Sequence, residues 1–218
     1  MTADNSFASQ AYAILKKDLL SCVLMPGSRV AQPELVKRYD LGVTPIREAL
    51  KRLEHEGFVR SLPRYGYLIT PITIKDVENL YDFRIVLEKA SVHFAIEKAP
   101  DCRLTQIQQA ADFSYVYKDR GSYLDFLDQN ARFHVSIAAS TGNTKLADVL
   151  TTTLNEMIRI FNLGLDLRDS ASEMRREHID LVQAMSARDG ERAEKIIVEQ
   201  ITSSRKRVME MLVQYHAQ

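Results

Sequence analysis

Thr44-Pro45-Ile46-Arg47-Glu48-Ala49-Leu50-Lys51-Arg52-Leu53-Glu54-His55-Glu56-Gly57 is the stretch on which the reading of this 218-residue chain turns. Ile46, Ala49, Leu50 and Leu53 fall at i, i+3, i+4 and i+7, so a helix over about 44–56 buries them as one stripe. Thr44 is placed to cap it, Pro45 suits its first position, and Gly57 stops it. Arg47, Lys51, Arg52 and His55 decorate the other side. At about 1.5 Å per residue the rod is roughly 20 Å long, a size that fits a major groove. Its free N-terminal N–H groups attract phosphate. An ordinary surface helix with a solvated charged face fits the same residues.

The flanks separate the two readings. Upstream, Phe7, Ala11, Ile14, Leu15, Leu19 and Cys22 predict an amphipathic helix over 7–22, ended by Met25-Pro26-Gly27-Ser28. Pro33 opens a short helix to about Arg38. Tyr39-Asp40-Leu41-Gly42-Val43 is a tight turn in which Gly42 is expected to supply positive φ. Downstream, Phe58–Leu62 and Tyr67–Thr70 are β-prone runs around Pro63-Arg64-Tyr65-Gly66, a turn carrying a cation and an aromatic. That order predicts a winged helix–turn–helix, whose second motif helix reads bases while the hairpin meets the backbone or minor groove of double-stranded DNA. Thr44, Pro45, Arg47, Lys51 and Arg52 on the helix, with Arg64, Tyr65 and Gly66 on the wing, are the candidate DNA contacts.

Composition sets the frame. The chain is 45% apolar and 27% charged, which excludes disorder and collagen. Cys22 and Cys102 are too few for a disulfide scaffold and fit a reducing cytoplasm. No apolar run reaches the roughly 18–20 residues of a membrane span, and Met1–Ser6 does not open a secretory signal. Net charge is zero overall, but residues 1–75 carry 11 basic against 7 acidic side chains and residues 76–218 carry 18 against 22. A basic end and an acidic remainder suggest that one end meets a polyanion.

Pro71 separates domains expected at 1–71 and 72–218. Beyond it the pattern predicts helices at about 73–99, 104–119, 122–140, 144–164, 171–187 and 190–215, with Ser170-Ala171-Ser172-Glu173 as a capping box. The expected fold is mostly α: a winged helix–turn–helix followed by an all-helical antiparallel bundle of about six helices. Asn130 and His134 lie at i and i+4; His178 and Gln200 sit on later helices. A lone buried His is commonly a hydrogen-bonded core residue; together the four make a candidate interior site.

Pro26-Gly27-Ser28-Arg29-Val30, Thr44–Leu50, Arg52–Val59 and Gly66 closely resemble the N-terminal domain of GntR-family bacterial transcription regulators. The resemblance implies a dimer acting on a short palindromic operator, with Arg47 and Thr44 at DNA-contacting positions and Gly66 at the wing glycine. Gly42-Val43 replaces the Ser-Arg or Thr-Arg of many members, removing one arginine contact. Phe133-His134, Thr141-Gly142-Asn143 with Leu146, Glu177-His178 and Asp189-Gly190 resemble the FCD domain of the FadR subgroup, and Arg84 and Glu88 match its first helix. Many members bind a divalent metal there through an Asp, a His four residues on and two further His. Here His134 and His178 match while Asn130 and Gln200 replace the other ligands, which implies a weak Zn or Ni site or none. The effector-binding set is then Arg84, Asn130, His134, His178 and Gln200, with Arg84 offering a cation to a carboxylate.

The expected function is a cytoplasmic, homodimeric repressor controlled by a small effector. Two alternatives are a metal-dependent enzyme built on His134 and His178, and a protein that coats DNA without sequence preference. The chain has no Ser-His-Asp order, HExxH, CxxC or phosphate-cradling Gly loop to favour the first. A head of only +4 disfavours the second.

Overall fold

A computed structural model describes the backbone of residues 6–216 and the side chains of residues 6–213. The chain divides into two units, one up to Thr73 and the other from Ile74. The first contains α1 (Phe7–Leu20), β1 (Arg29–Val30), α2 (Gln32–Tyr39), α3 (Val43–His55), β2 (Val59–Leu62) and β3 (Gly66–Ile69).

Its core is the one the apolar spacing predicts, except that Phe7, at the first position of α1, is 70% exposed. Ala11, Leu15 and Leu19 of α1 meet Leu35 of α2, the Ile46-Ala49-Leu50-Leu53 stripe of α3, and Val59 and Ile69 of the sheet. The sheet order is β1-β3-β2, antiparallel throughout, with Val30 opposite Tyr67 and Leu62 opposite Gly66. β1 has only two residues, too few to show alternation in the sequence.

Two local expectations are corrected. α3 starts one residue early, at Val43: its N-cap is Gly42, and no side chain caps it, so Thr44 lies inside the first turn. Gly42 has φ −62°, and the left-handed residue of the turn is Asp40 (φ 52°), a residue type that tolerates that conformation.

The second unit holds α4 (Ile74–Lys98), α5 (Asp101–Gln109), α6 (Arg120–Ser140), α7 (Thr144–Leu165), α8 (Ala171–Ser186) and α9 (Gly190–His216). α4 packs against α6, α7, α8 and α9, which makes it the central helix. Gly164 lets α7 approach α9: a Cβ there would lie 2.9 Å from Val208 Cγ2.

The helix expected over 104–119 is shorter, ending at Gln109. Ala111, Phe113 and Tyr115 are buried and alternate with exposed Asp112, Ser114 and Val116. That period of two belongs to extended chain, and aromatic side chains used this way pack better from a strand-like backbone than from a helix. Nor is Ser170 a capping hydroxyl. It is the N-cap residue of α8 but makes no cap bond; its backbone N–H donates to Tyr115 Oη (3.1 Å), and Glu173 pairs with Arg168 instead. Among the described residues, no helix is long and apolar enough to cross a membrane, and neither Cys22 nor Cys102 is in a disulfide.

Candidate nucleic-acid interface and internal polar site

On α3, Thr44, Arg47 and Lys51 fall at i, i+3 and i+7, and all three are exposed, opposite the buried stripe. Pro45 is half-buried beside Gly42. Arg52 does not share their face. Five residues beyond Arg47, it is about 140° further round the axis. Its guanidinium lies 3.5 Å from the centre of the Tyr12 ring, with Nε 3.2 Å from Glu56 Oε1. Glu56 also accepts from Tyr12 Oη (2.8 Å) and Lys16 Nζ (2.8 Å). Partial burial would raise the Glu56 carboxyl, but the hydrogen bonds from Lys16 and Tyr12 outweigh it and hold the group below its ordinary value. Arg52 is thus a tie between α1 and α3.

The wing is fastened to α3 as well. Glu54 Oε1 accepts from the Ser61 backbone N–H at 2.7 Å, and Thr70 Oγ1 donates to Gly57 O at 2.6 Å. At the hairpin tip, Tyr65 N–H donates to Leu62 O (2.9 Å), Arg64 adopts φ 70°, and Tyr65 is 72% exposed. The tip thus presents an aromatic ring and a cation to solvent. Gly66 is different. Its φ is 90° and a Cβ would overlap Val30 O, so this glycine shapes the sheet.

In the second unit, Arg84 and Glu88 of α4, Asn130 and His134 of α6, His178 of α8 and Gln200 of α9 are all buried, none more than 6% exposed. Arg84 Nε is 2.5 Å from Glu88 Oε1, and Arg84 Nη2 is 3.4 Å from His134 Nε2. Glu88 Oε2 is 2.5 Å from His134 Nδ1, at ion-pair distance but off the line of a good hydrogen bond. Burial raises the Glu88 carboxyl, yet Arg84 and then His134 overcome this and bring it down to about 2.

His178 stacks on Phe113 (ring centres 4.6 Å apart) and touches Phe133 and His134. Neither of its nitrogens has a hydrogen bond. Burial, reinforced by His134 and Arg84, holds its pKa well below the ordinary value, so the ring is neutral. Among the described residues, no three His, Cys, Asp or Glu side chains converge as a metal-ligand group.

Next to this cluster is a small cavity, with about 20 Å³ of room for water-sized occupants. Arg84, Asn130 and Gln200 line it, joined by Ser204, Arg207 and Phe161. His134 and His178 do not reach its wall; His134 stands behind Arg84. Among the described residues, buried Gln200 Oε1 has no hydrogen-bond partner, and Arg207 Nη1 has only a 3.7 Å ion pair with Glu173 Oε1. Arg207 was readable as the seventh residue after Gln200 on one face of α9; Phe113 was hidden by the wrong helix.

A winged helix–turn–helix with an exposed cationic reading helix, followed by a helical domain with a polar interior, defines a DNA-binding transcription regulator. The model for bacterial regulatory proteins of the gntR family matches residues 7–69, and that for the FCD domain matches residues 79–203. The chain belongs to the GntR family of bacterial transcription regulators, with an FCD domain as its C-terminal part.

Relatives agree. The uncharacterized HTH-type transcriptional regulator YdhC of Bacillus subtilis (strain 168) is 29% identical over 193 residues, covering 87% of this chain and 85% of that protein. The HTH-type transcriptional repressor RspR of Escherichia coli (strain K12) is 23% identical, covering 88% and 84%. Among solved structures, E. coli McbR/YncC has a TM-score of 0.64 at 20% identity, covering 96% of this chain and 99% of that one. A GntR regulator from Rhodococcus sp. RHA1 has a TM-score of 0.65 at 18% identity, covering 93% and 97%. At these identities the structural likeness carries the fold.

Proposed function

We propose that this protein is a cytoplasmic repressor that binds a palindromic operator as a homodimer and is controlled by a small carboxylate effector held in its FCD domain. The observation that carries the DNA reading is the exposure of Thr44, Arg47 and Lys51 on one face of α3 while the opposite stripe is buried. α3 would enter the major groove, and Arg64 and Tyr65 would meet the flanking backbone or minor groove.

The effector reading rests on the cavity. Its wall offers two guanidinium groups, Arg84 and Arg207, and the amides of Asn130 and Gln200; Gln200 Oε1 has no hydrogen-bond partner among the described residues, and Arg207 Nη1 has only Glu173 Oε1 at 3.7 Å. Guanidinium suits carboxylate through paired N–H donors. The cavity has room for about one water, so an effector must displace side chains such as Met174 on α8. That need ties occupancy to the placement of α8. Control requires the effector to bind one dimer arrangement better than another.

Dimerisation is supported by an unpaired apolar face: Phe83 and Val86 of α4 and Val149 of α7 are 47%, 64% and 40% exposed. Two copies would set their reading helices about 34 Å apart on successive major-groove faces.

The test is selection of binding sequences from a random duplex pool by the full chain, followed by footprinting. A discrete palindrome, bound more weakly by Arg47→Ala and weakened steeply by salt, is expected. Uniform protection of any duplex would overturn the reading. For the effector, a thermal-shift screen of small carboxylates should yield a stabilising ligand that Arg84→Met no longer binds.

A further inference from the structure

The resemblance to FCD domains brings a divalent ion with it, and the buried donors of this chain can be tested against that ion atom by atom. His134 is the residue best placed to hold one. Its Nε2 lies 3.4 Å from Arg84 Nη2. A guanidinium only donates, so that nitrogen is the acceptor and the ring proton sits on Nδ1, on the Glu88 side. The lone pair a metal needs is directed at a cation.

Among the described residues Glu88 is the carboxylate paired with this ring, and both its oxygens are engaged, Oε1 by Arg84 and Oε2 by His134. Asn130 and Gln200 are neutral amides in place of an anionic ligand and an imidazole. His178 retains free nitrogens, but its ring is stacked on Phe113 and it is one donor alone. A doubly charged ion here would sit beside a fixed guanidinium while Glu88, the carboxylate against the His134 ring, is already paired, and like charges at such range repel strongly in a buried site.

We infer that this protein holds no divalent ion in its FCD domain, because Arg84 takes the His134 lone pair that such an ion requires and stands as the resident cation of the site. The inference concerns the site's cation and does not depend on which ligand enters the cavity. Arg84 is fixed for this task by Glu88 one turn along α4 and by Phe161, whose ring centre is 5.1 Å from the guanidinium carbon. Its positive charge does not depend on metal supply.

Elemental analysis of the full chain, purified without chelators and without a polyhistidine tag, is the first measurement. Far less than one zinc or nickel per chain is expected, with a melting temperature indifferent to EDTA and to added zinc or nickel chloride. About one ion per chain surviving dialysis, or a chelator-induced fall in melting temperature, would overturn the inference.

Two variants then test the part played by Arg84. N130D/Q200H restores the usual donor types but keeps the guanidinium, and should remain metal-poor. R84M/N130D/Q200H removes the cation and should take up one ion, gaining thermal stability with added zinc. A double variant that binds metal as tightly as the triple one, or a folded triple variant that binds none, refutes the assignment of Arg84. Should the triple variant fail to fold, the wild-type metal content still decides.

Discussion

The guanidinium of Arg52 lies over the ring of Tyr12, 3.5 Å from its centre, joining α3 to α1 across the head. An arginine on the reading helix is therefore spent on holding that helix in place. Arg52→Ala removes an exposed cation–π contact and an i,i+4 ion pair with Glu56, together about 1 kcal/mol of head stability. Operator affinity extrapolated to fully folded protein should stay within twofold. Thermal melting followed by anisotropy binding well below the transition separates the two effects, and a large loss of affinity at unchanged stability would return Arg52 to the DNA face.

Arg47 should behave in the opposite way. It is exposed and shares its face with Lys51. Arg47→Ala should leave melting unchanged and weaken specific binding by about 1–3 kcal/mol if it reads a guanine. Lys51→Ala should weaken all sequences alike and lower the salt slope by about 1, the mark of a phosphate contact. Titrations at several salt concentrations distinguish them.

Gly66 joins the wing to the head. With φ 90° and Val30 O in the path of any Cβ, Gly66→Ala must rotate the backbone or pull β1 from β3. The left-handed conformation alone costs about 1–2 kcal/mol for a residue with a Cβ. A loss of about 2 kcal/mol or more is expected, measured by denaturant unfolding. Gly57, also at positive φ (79°) but with open space around it, should lose only the conformational part on the same substitution.

The contrast between Arg47 and Arg52 shows where sequence reasoning reaches its limit. Both lie off the apolar stripe, and periodicity divides a helix into a buried face and everything else. Only the neighbour across the gap, Tyr12, decides which polar residue is engaged. The α3 stripe and the hairpin were legible because each is local: the spacing and the turn residues carry the whole signal. The extended stretch at Ala111–Tyr115 was not. Its aromatics alternate with polar residues, but the run is short and follows a helical pattern without a glycine or proline to mark the change. Losing that segment also lost Phe113, and with it the reason His178 is stacked and neutral. The polar cluster was legible as residue types on separate helices; its pairing was not, because contact between Arg84 and His134 spans fifty positions in sequence.

Acid should destabilise the FCD domain in two stages. His178 is held neutral in the fold, its pKa well below the ordinary 6.5, so the unfolded chain takes a proton that the folded one refuses. Stability from this source is intact above pH 6.5 and declines as pH falls beneath it. Glu88, at about 2 against an ordinary 4.5, adds a second decline as pH drops from about 4.5 toward 2. Both have the same sign: the unfolded state binds more protons. Melting temperature against pH, followed by helical circular dichroism, should fall in both windows. His178→Phe should flatten the upper window and leave the lower one, whereas an unchanged upper slope would mean that His178 is charged in the fold.

The apolar face of α4 and α7 supplies the last expectation. Val86 is 64% exposed and Phe83 47% on α4, and Val149 continues the patch on α7. Val86→Glu replaces no core contact, so folded-state stability should change by about 0.5 kcal/mol or less. A charge at the centre of a two-fold interface, however, meets its own copy, and each subunit is affected at once. Light scattering at micromolar concentration should report a dimer for the natural chain and a monomer for the variant. Binding to a palindromic duplex should then approach that to a single half-site, because linking the two heads is what raises their joint affinity. A variant that remains dimeric would place the interface on another face of the bundle.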